Sequence, residues 1–151
     1  MVEARQEQAH KVVVGVDGST ASLAALEWAA DLAESTGAAV EAVAIWAWPS
    51  GYGTSAMLPA SHDPAGDAEA IVTGAVGAAQ ARHPDIEFVP VVVQGRPAQV
   101  LVEASKGADL LALGAQVDGD MAGSLLGSVG EHCAEHAHSP VLVIRDQGGE
   151  S

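Results

Sequence analysis

The sequence predicts an α/β fold in which a single doubly wound sheet of five parallel strands is flanked by helices. Five short runs of mainly apolar residues alternate along the 151-residue chain with four helical segments, which is the pattern of parallel strands joined by helical crossovers. The first run, KVVVGV, shows no alternation of polar and apolar residues, as expected of a strand buried on both faces. Hydrophobic residues make up 48% of the chain but aromatic residues only 3%, so Val, Leu, Ile and Ala must form the core.

The first elements follow a strand–turn–helix–turn–strand order. The apolar run Lys11–Val16 predicts a strand, and Ser19 after it is a suitable N-cap for a helix over Ala21–Ser35. Gly37 is suited to the left-handed conformation that ends many helices. A second strand is predicted directly afterwards, over Ala39–Trp46.

The segment Trp48–Asp67 interrupts this order. It contains three prolines and three glycines and is predicted to be a surface loop. A helix over Ala68–Arg82 and a strand over Glu87–Val93 follow, and Pro90 places that strand at a sheet edge, where a missing N–H group does least harm. The remaining predicted elements are a helix over Pro97–Lys106, a strand over Ala108–Leu113, a loop over Gly114–Gly123, a helix over Ser124–His136 and a strand over Pro140–Arg145.

One domain is predicted over residues 11–146, between a flexible segment (1–10) and a frayed C-terminal end (147–151). Six Lys and Arg residues stand against twenty Asp and Glu, a net charge of −14. Such a surface repels nucleic-acid phosphates and anionic lipid headgroups, so neither nucleic acid nor a membrane is expected as a partner.

Cys133 is the single cysteine, which excludes an internal disulfide, and the sequence shows no apolar signal core or membrane span. We therefore expect a cytoplasmic protein.

Ligands of doubly wound sheets bind beyond the carboxyl ends of the strands, where the strand order reverses. The residues predicted there are Asp17, Trp46–Trp48, Gln94–Gly95 and the chain from Gly114 onward. The segment from Gly114 to Val129 is rich in glycine and contains no Lys or Arg, so main-chain N–H groups would have to hold any phosphate. Asp120-Met121 stands where a Walker A loop requires Lys-Ser/Thr, which excludes a P-loop NTPase.

Three segments together resemble the universal stress protein family: KVVVGVDGS near the start, GSLLGSV in the middle and HAHSPVLVIR near the end. The resemblance covers Lys11 to Arg145. The family's ATP-binding signature is glycine, two residues, glycine, nine residues, and then glycine followed by Ser or Thr. Gly114 and Gly127-Ser128 fit this signature, whereas Val117 stands in place of the middle glycine.

The resemblance implies an adenine nucleotide alpha-hydrolase-like fold and a stress-response sensor or regulator that binds ATP with Mg²⁺. The nucleotide site that it implies consists of Val16, Asp17, Ala44, Ile45, Gly114, Val117, Gly119, Gly127, Ser128 and Val129. In this site Asp17 would lie at the adenosine, Ala44 and Ile45 would line the adenine, and the glycines would lie near the phosphates. The resemblance also implies a homodimer that pairs through the last strand, Pro140–Arg145.

A second interpretation is a regulatory homodimer of the same fold that binds no nucleotide. If the middle glycine of the signature needs a positive φ, Val117 costs about 1–3 kcal/mol there, which corresponds to roughly tenfold to hundredfold weaker binding. Gln116 also stands where many relatives carry a basic residue, although Gly119 could restore a usable loop. Asp17 and Gly127 have structural interpretations as well, in a turn and in close packing of a helix.

The histidines of the last predicted helix suggest a metal site at first sight. His132 and His136 lie four residues apart with Cys133 between them, a spacing that suits zinc. No third ligand is evident in this segment, so no metal site is predicted. Ser128 and His132 have the same spacing but no orienting carboxylate, so no catalytic residues are predicted, and any ATP hydrolysis is expected to be slow.

Overall fold

The structure is a computed structural model that describes residues 10–47, 63–116 and 129–146. Strands and helices alternate along these residues. They are β1 (Lys11–Gly15), α1 (Thr20–Thr36), β2 (Ala39–Trp46), α2 (Pro64–Arg82), β3 (Phe88–Gln94), α3 (Pro97–Ala104), β4 (Leu110–Gln116), α4 (Glu131–His136) and β5 (Val141–Asp146). In this part of the chain, no helix combines the length and the apolar character that a membrane span requires.

The strands form one parallel sheet in the order β3-β2-β1-β4-β5. The chain builds one half of the sheet from β1 through β2 to β3, and then returns to place β4 on the other side of β1. Val12 of β1 accordingly pairs with Val40 on one side and with Leu110 on the other. The predicted doubly wound sheet is confirmed, and β3, which contains Pro90, lies at an edge as expected.

Alternation along each strand divides the apolar residues between two cores. Val12 and Val14 face the helices α1 and α2, whereas Val13 faces the side covered by α3 and α4. All three valines are at most 1% exposed, and each contributes about 1.5–3 kcal/mol through burial of its side chain. The small side chains of α1 that face the sheet allow this helix to pack closely against it; they are Ala21, Ala25, Ala29, Ala30 and Ala33.

The predicted caps of α1 are both present. The Ser19 hydroxyl accepts a hydrogen bond from the Ser22 N–H group at 3.1 Å and so satisfies one of the free donors of the first turn. At the other end Gly37 has a φ of 81° and donates its N–H to the Ala33 carbonyl at 2.7 Å. Local hydrogen bonds therefore fix both ends of α1.

The predicted start of α2 and the predicted end of β4 were wrong by three residues or more. Pro64–Asp67 belongs to α2 and not to the loop before it, because the Asp63 carboxylate caps the helix by accepting the Gly66 N–H at 3.1 Å and proline is well suited to the first turn. Strand β4 continues past Leu113 to Gln116, because its last residues pair with β5, Gly114 with Ile144 for example. Gly114 is thus a strand residue and not the start of a loop.

Candidate functional site

A cavity of about 250 Å³ opens at the carboxyl ends of β1 and β4. These two strands are neighbours in the sheet, although the chain has built β2 and β3 between them. The strand order therefore reverses at this point, which is where doubly wound sheets bind their ligands. The predicted location of the site coincides with the cavity.

The described walls of the cavity are mainly apolar. Val43 and Ile45 come from β2, Leu101 from α3, Leu113 from β4 and Val143 from β5. Gly15 of β1 leaves the space between them open, because a Cβ atom added there would lie 3.3 Å from methyl groups of both Leu101 and Leu113. Such a slot suits a flat, weakly polar ring system.

The polar part of the cavity wall is the turn that follows β1. The exposed Asp17 carboxylate accepts the Ser19 N–H at 2.9 Å, and the Asp17 N–H donates to the hydroxyl of the buried Ser22 at 3.2 Å. That hydroxyl in turn donates to the Ser19 carbonyl at 3.0 Å. Asp17 therefore shapes the turn, and the same contacts hold its carboxylate beside the cavity.

Gly114 lies where the end of β4 meets the first turn of α1. A Cβ atom on this residue would overlap the backbone of Ala21 and would lie 2.6 Å from the Ser22 nitrogen. Because backbone cannot move aside as a side chain can, glycine is required here whether or not a ligand binds. This contact also brings Ser22 to the cavity wall.

The structure brings five of the predicted site residues together at the cavity: Val16, Asp17, Ile45, Gly114 and Val129. Ala44 is not among the residues lining it. Neighbouring residues of a strand point to opposite faces, and Ala44 is buried in the core beneath α1 and α2 while Ile45 lies on the other side.

The other predicted site residues lie outside the described residues: Val117, Gly119, Gly127 and Ser128. Among the cavity residues that the structure describes, none is Lys or Arg. Sequence reasoning missed Ser22, Pro97 and Leu101. The last two lie one helical turn apart in α3, and this spacing at the start of a helix that follows a strand could have identified them.

The two histidines of α4 lie close together, but Cys133 does not join them. The rings of His132 and His136 lie 4.5 Å apart, but Cys133 is fully buried in the core that also contains Leu111 and Leu113. Burial raises the pKa of the Cys133 thiol, because a low-dielectric surrounding disfavours the thiolate. Cys133 is therefore a packing residue and not a partner of the two imidazoles.

Comparison with known proteins identifies the family. The model of the universal stress protein family matches residues 8–145 of the chain. The chain belongs to the universal stress protein family. This universal stress protein is 39% identical over 137 residues to a universal stress protein of Mycobacterium tuberculosis. The match covers 89% of this chain and 45% of the relative. The chain thus spans slightly less than half the length of the curated relatives it matches.

Solved structures show the same fold. A universal stress protein in complex with cAMP is 29% identical and superposes with a TM-score of 0.65, covering 89% of this chain and 95% of that chain. A universal stress protein of Archaeoglobus fulgidus in complex with dAMP is 22% identical, with a TM-score of 0.62 and coverage of 89% and 97%. At this lower identity the likeness concerns the fold alone.

The close contact at Gly114 predicts a large loss of stability on substitution. Gly114→Ala is expected to lower the free energy of unfolding by about 1–3 kcal/mol or more, because the added methyl group meets backbone. Urea unfolding followed by circular dichroism measures the loss. Gly77→Ala is the matched control: nothing lies within 4 Å of its added Cβ atom, so in a helix it should stabilise by about 0.5–1 kcal/mol. A Gly114→Ala protein as stable as the wild type would contradict the packing described.

Proposed function

We propose that this universal stress protein binds ATP together with Mg²⁺ in the cavity between β1 and β4, and that it acts as a stress-response sensor or regulator. The observation that carries the proposal is the position of an apolar cavity at the reversal of strand order, with the Asp17 carboxylate beside it. The apolar walls suit the base of a nucleoside, and the Asp17 carboxylate can accept hydrogen bonds from its ribose hydroxyls.

The adenosine half of the ligand is assigned to the described cavity. The base would lie against Ile45, Val43 and Leu101, and the ribose hydroxyls would donate to Asp17. Since Asp17 is already held by the Ser19 N–H, little conformational entropy is lost when it accepts a further hydrogen bond. The solved structure in complex with cAMP supports this assignment, because cAMP contains the adenine base.

The phosphates are assigned to the chain that follows β4. Because the described cavity residues include no Lys or Arg and the net charge is −14, main-chain N–H groups and Mg²⁺ would have to balance the triphosphate charge. The residues proposed for this role are Val117, Gly119, Gly127, Ser128 and Val129. The segment from Gly114 to Val129 contains no Lys or Arg that could stabilise the transition state, so hydrolysis would be slow, and the consequence of binding would be a changed surface for partners.

A substitution that fills the cavity tests the site. Titration calorimetry with MgATP should show one site per chain in the wild type, and Ile45→Trp should weaken binding at least about tenfold because an indole would occupy the slot. Val92→Trp is the matched control, since Val92 lies on the neighbouring strand and is 37% exposed. AMP and cAMP in the same experiment show how much the phosphates contribute. Equal heats for Ile45→Trp and the wild type would refute the site, and no heat with any nucleotide would favour the regulatory protein without a ligand.

The homodimer is proposed on the basis of the second sheet edge. Strand β5 is the last in the sheet order, and its residues Val141–Ile144 are only partly buried. An apolar edge strand has unpaired backbone groups that can pair with the same strand of a second copy.

The cytoplasm is the compartment in which we expect the dimer to act, since Cys133 is a free, buried thiol, as is usual in reducing compartments.

Sedimentation equilibrium tests this assembly. The wild type should sediment at twice the 15.2 kDa mass of the chain. Leu142→Glu should shift it toward the monomer, because two carboxylates would meet across the paired edges. The substitution Glu135→Gln, on an exposed part of α4, should leave the mass unchanged. A wild-type protein that stays monomeric at micromolar concentration would contradict pairing through β5.

A further inference from the structure

A histidine links the C-terminus of α2 to the middle and the end of α1, on the face of the sheet opposite to α3 and α4. His83 caps the C-terminus of α2 and is 93% buried, with 7% of its surface exposed. Its Nδ1 atom lies 2.6 Å from a carboxylate oxygen of Glu34, and its Nε2 atom lies 3.1 Å from Glu27. Both glutamates belong to α1, and their hydrogen bonds, that to Glu34 most, raise the pKa of His83.

The Nε2 side of this imidazole faces two carboxylates. Glu27 Oε1 lies 3.1 Å and Asp31 Oδ1 lies 3.9 Å from Nε2. Glu27 and Asp31 are four residues apart in α1 and therefore share one helix face. Two ligands of a tetrahedral zinc ion, each at about 2.0–2.1 Å, are separated from one another by about 3.3 Å. The separations of 3.1 Å and 3.9 Å lie on either side of this value. The Asp31 side chain is 71% exposed, so it has room to move toward an ion held by His83 and Glu27.

The Nδ1 side provides the support that histidine ligands usually have. In many metal sites the second ring nitrogen donates to a carboxylate, which fixes the ring orientation and makes the ligand more basic. Glu34 occupies this position. Arg82 Nη1 lies 3.3 Å from the second carboxylate oxygen of Glu27, which holds Glu27 with Oε1 toward the imidazole.

The charges of the cluster also suit a divalent ion. Glu27, Asp31 and Glu34 carry three negative charges and Arg82 one positive charge, so a doubly charged ion with a neutral imidazole would make the cluster neutral. A mixed imidazole and carboxylate set favours zinc and its neighbours over Mg²⁺ or Ca²⁺, which prefer oxygen ligands alone.

We propose that Glu27, Asp31 and His83 form a binding site for a divalent transition-metal ion of the zinc class, with Glu34 as the carboxylate that orients the imidazole. A water molecule would complete the tetrahedral coordination. The ion would connect α1 to the end of α2, on the other face of the sheet from the Ile45 side of the nucleotide cavity. This site does not depend on the proposed nucleotide binding.

Calorimetric titration of the tag-free protein with ZnCl₂ at pH 8 tests the site, since protons compete less for imidazole there. One saturable site is expected. Asp31→Asn should weaken it at least about tenfold; the Asp31 side chain is 71% exposed, so this variant should keep its fold, as circular dichroism can verify. Glu34→Gln, which changes the orienting carboxylate, should weaken binding by roughly tenfold to a hundredfold.

His136→Gln is the matched control, because the neighbouring imidazoles of His132 and His136 offer a second place where zinc could bind. Zinc affinity that is retained in His136→Gln and reduced in Asp31→Asn supports the proposed site. Loss of the zinc heat in His136→Gln with wild-type affinity in Asp31→Asn would overturn it, as would the absence of saturable zinc binding by the wild type. MgATP titrations of Asp31→Asn should match the wild type, which separates this test from that of the nucleotide site.

Discussion

The carboxyl end of β4 passes so close to the first turn of α1 that Gly114 has no room for a Cβ atom. Much of the site depends on this contact. It lies at the level where β1 ends, and it brings Ser22 to the wall of the cavity. The Ser19 cap and the Asp17 turn then hold this part of α1 in place through hydrogen bonds of 2.9 to 3.2 Å. A larger residue at position 114 would push strand and helix apart and alter the shape of the cavity.

The two faces of the sheet carry different proposed binding sites. On one face, α3 and α4 cover a core that stops short of the carboxyl ends of the strands, and the space left there is the cavity. On the other face, α1 and α2 cover a core made largely of Ala and Val, and the cluster around His83 joins the end of α2 to α1. The nucleotide proposed for the first face and the metal ion proposed for the second would therefore stabilise different pairs of elements.

Much of this arrangement could be predicted from the sequence, because the signals are local. The β-branched runs predicted the strands, Pro90 predicted an edge, and Ser19 with Gly37 predicted the limits of α1. The start of α2 was missed because Pro64 was interpreted as a breaker, although proline after a capping aspartate begins helices equally well. Ala44 and Ile45 were assigned to one site by resemblance, yet adjacent strand residues face opposite sides of a sheet. The cluster around His83 could not be predicted, since its hydrogen bonds join residues 49 and 56 positions apart in the chain.

We propose that the nucleotide lies at the carboxyl ends of β1 and β4. The most direct test is a titration of ¹⁵N-labelled protein with MgATP, followed by amide chemical shifts. The largest shifts are expected on Gly15, Asp17, Gly114 and Val129, whereas the amide signals of the β3 edge, such as that of Val89, should hardly move. Saturating MgATP that leaves these four amides unshifted, or that shifts mainly residues of the β3 edge, would contradict it.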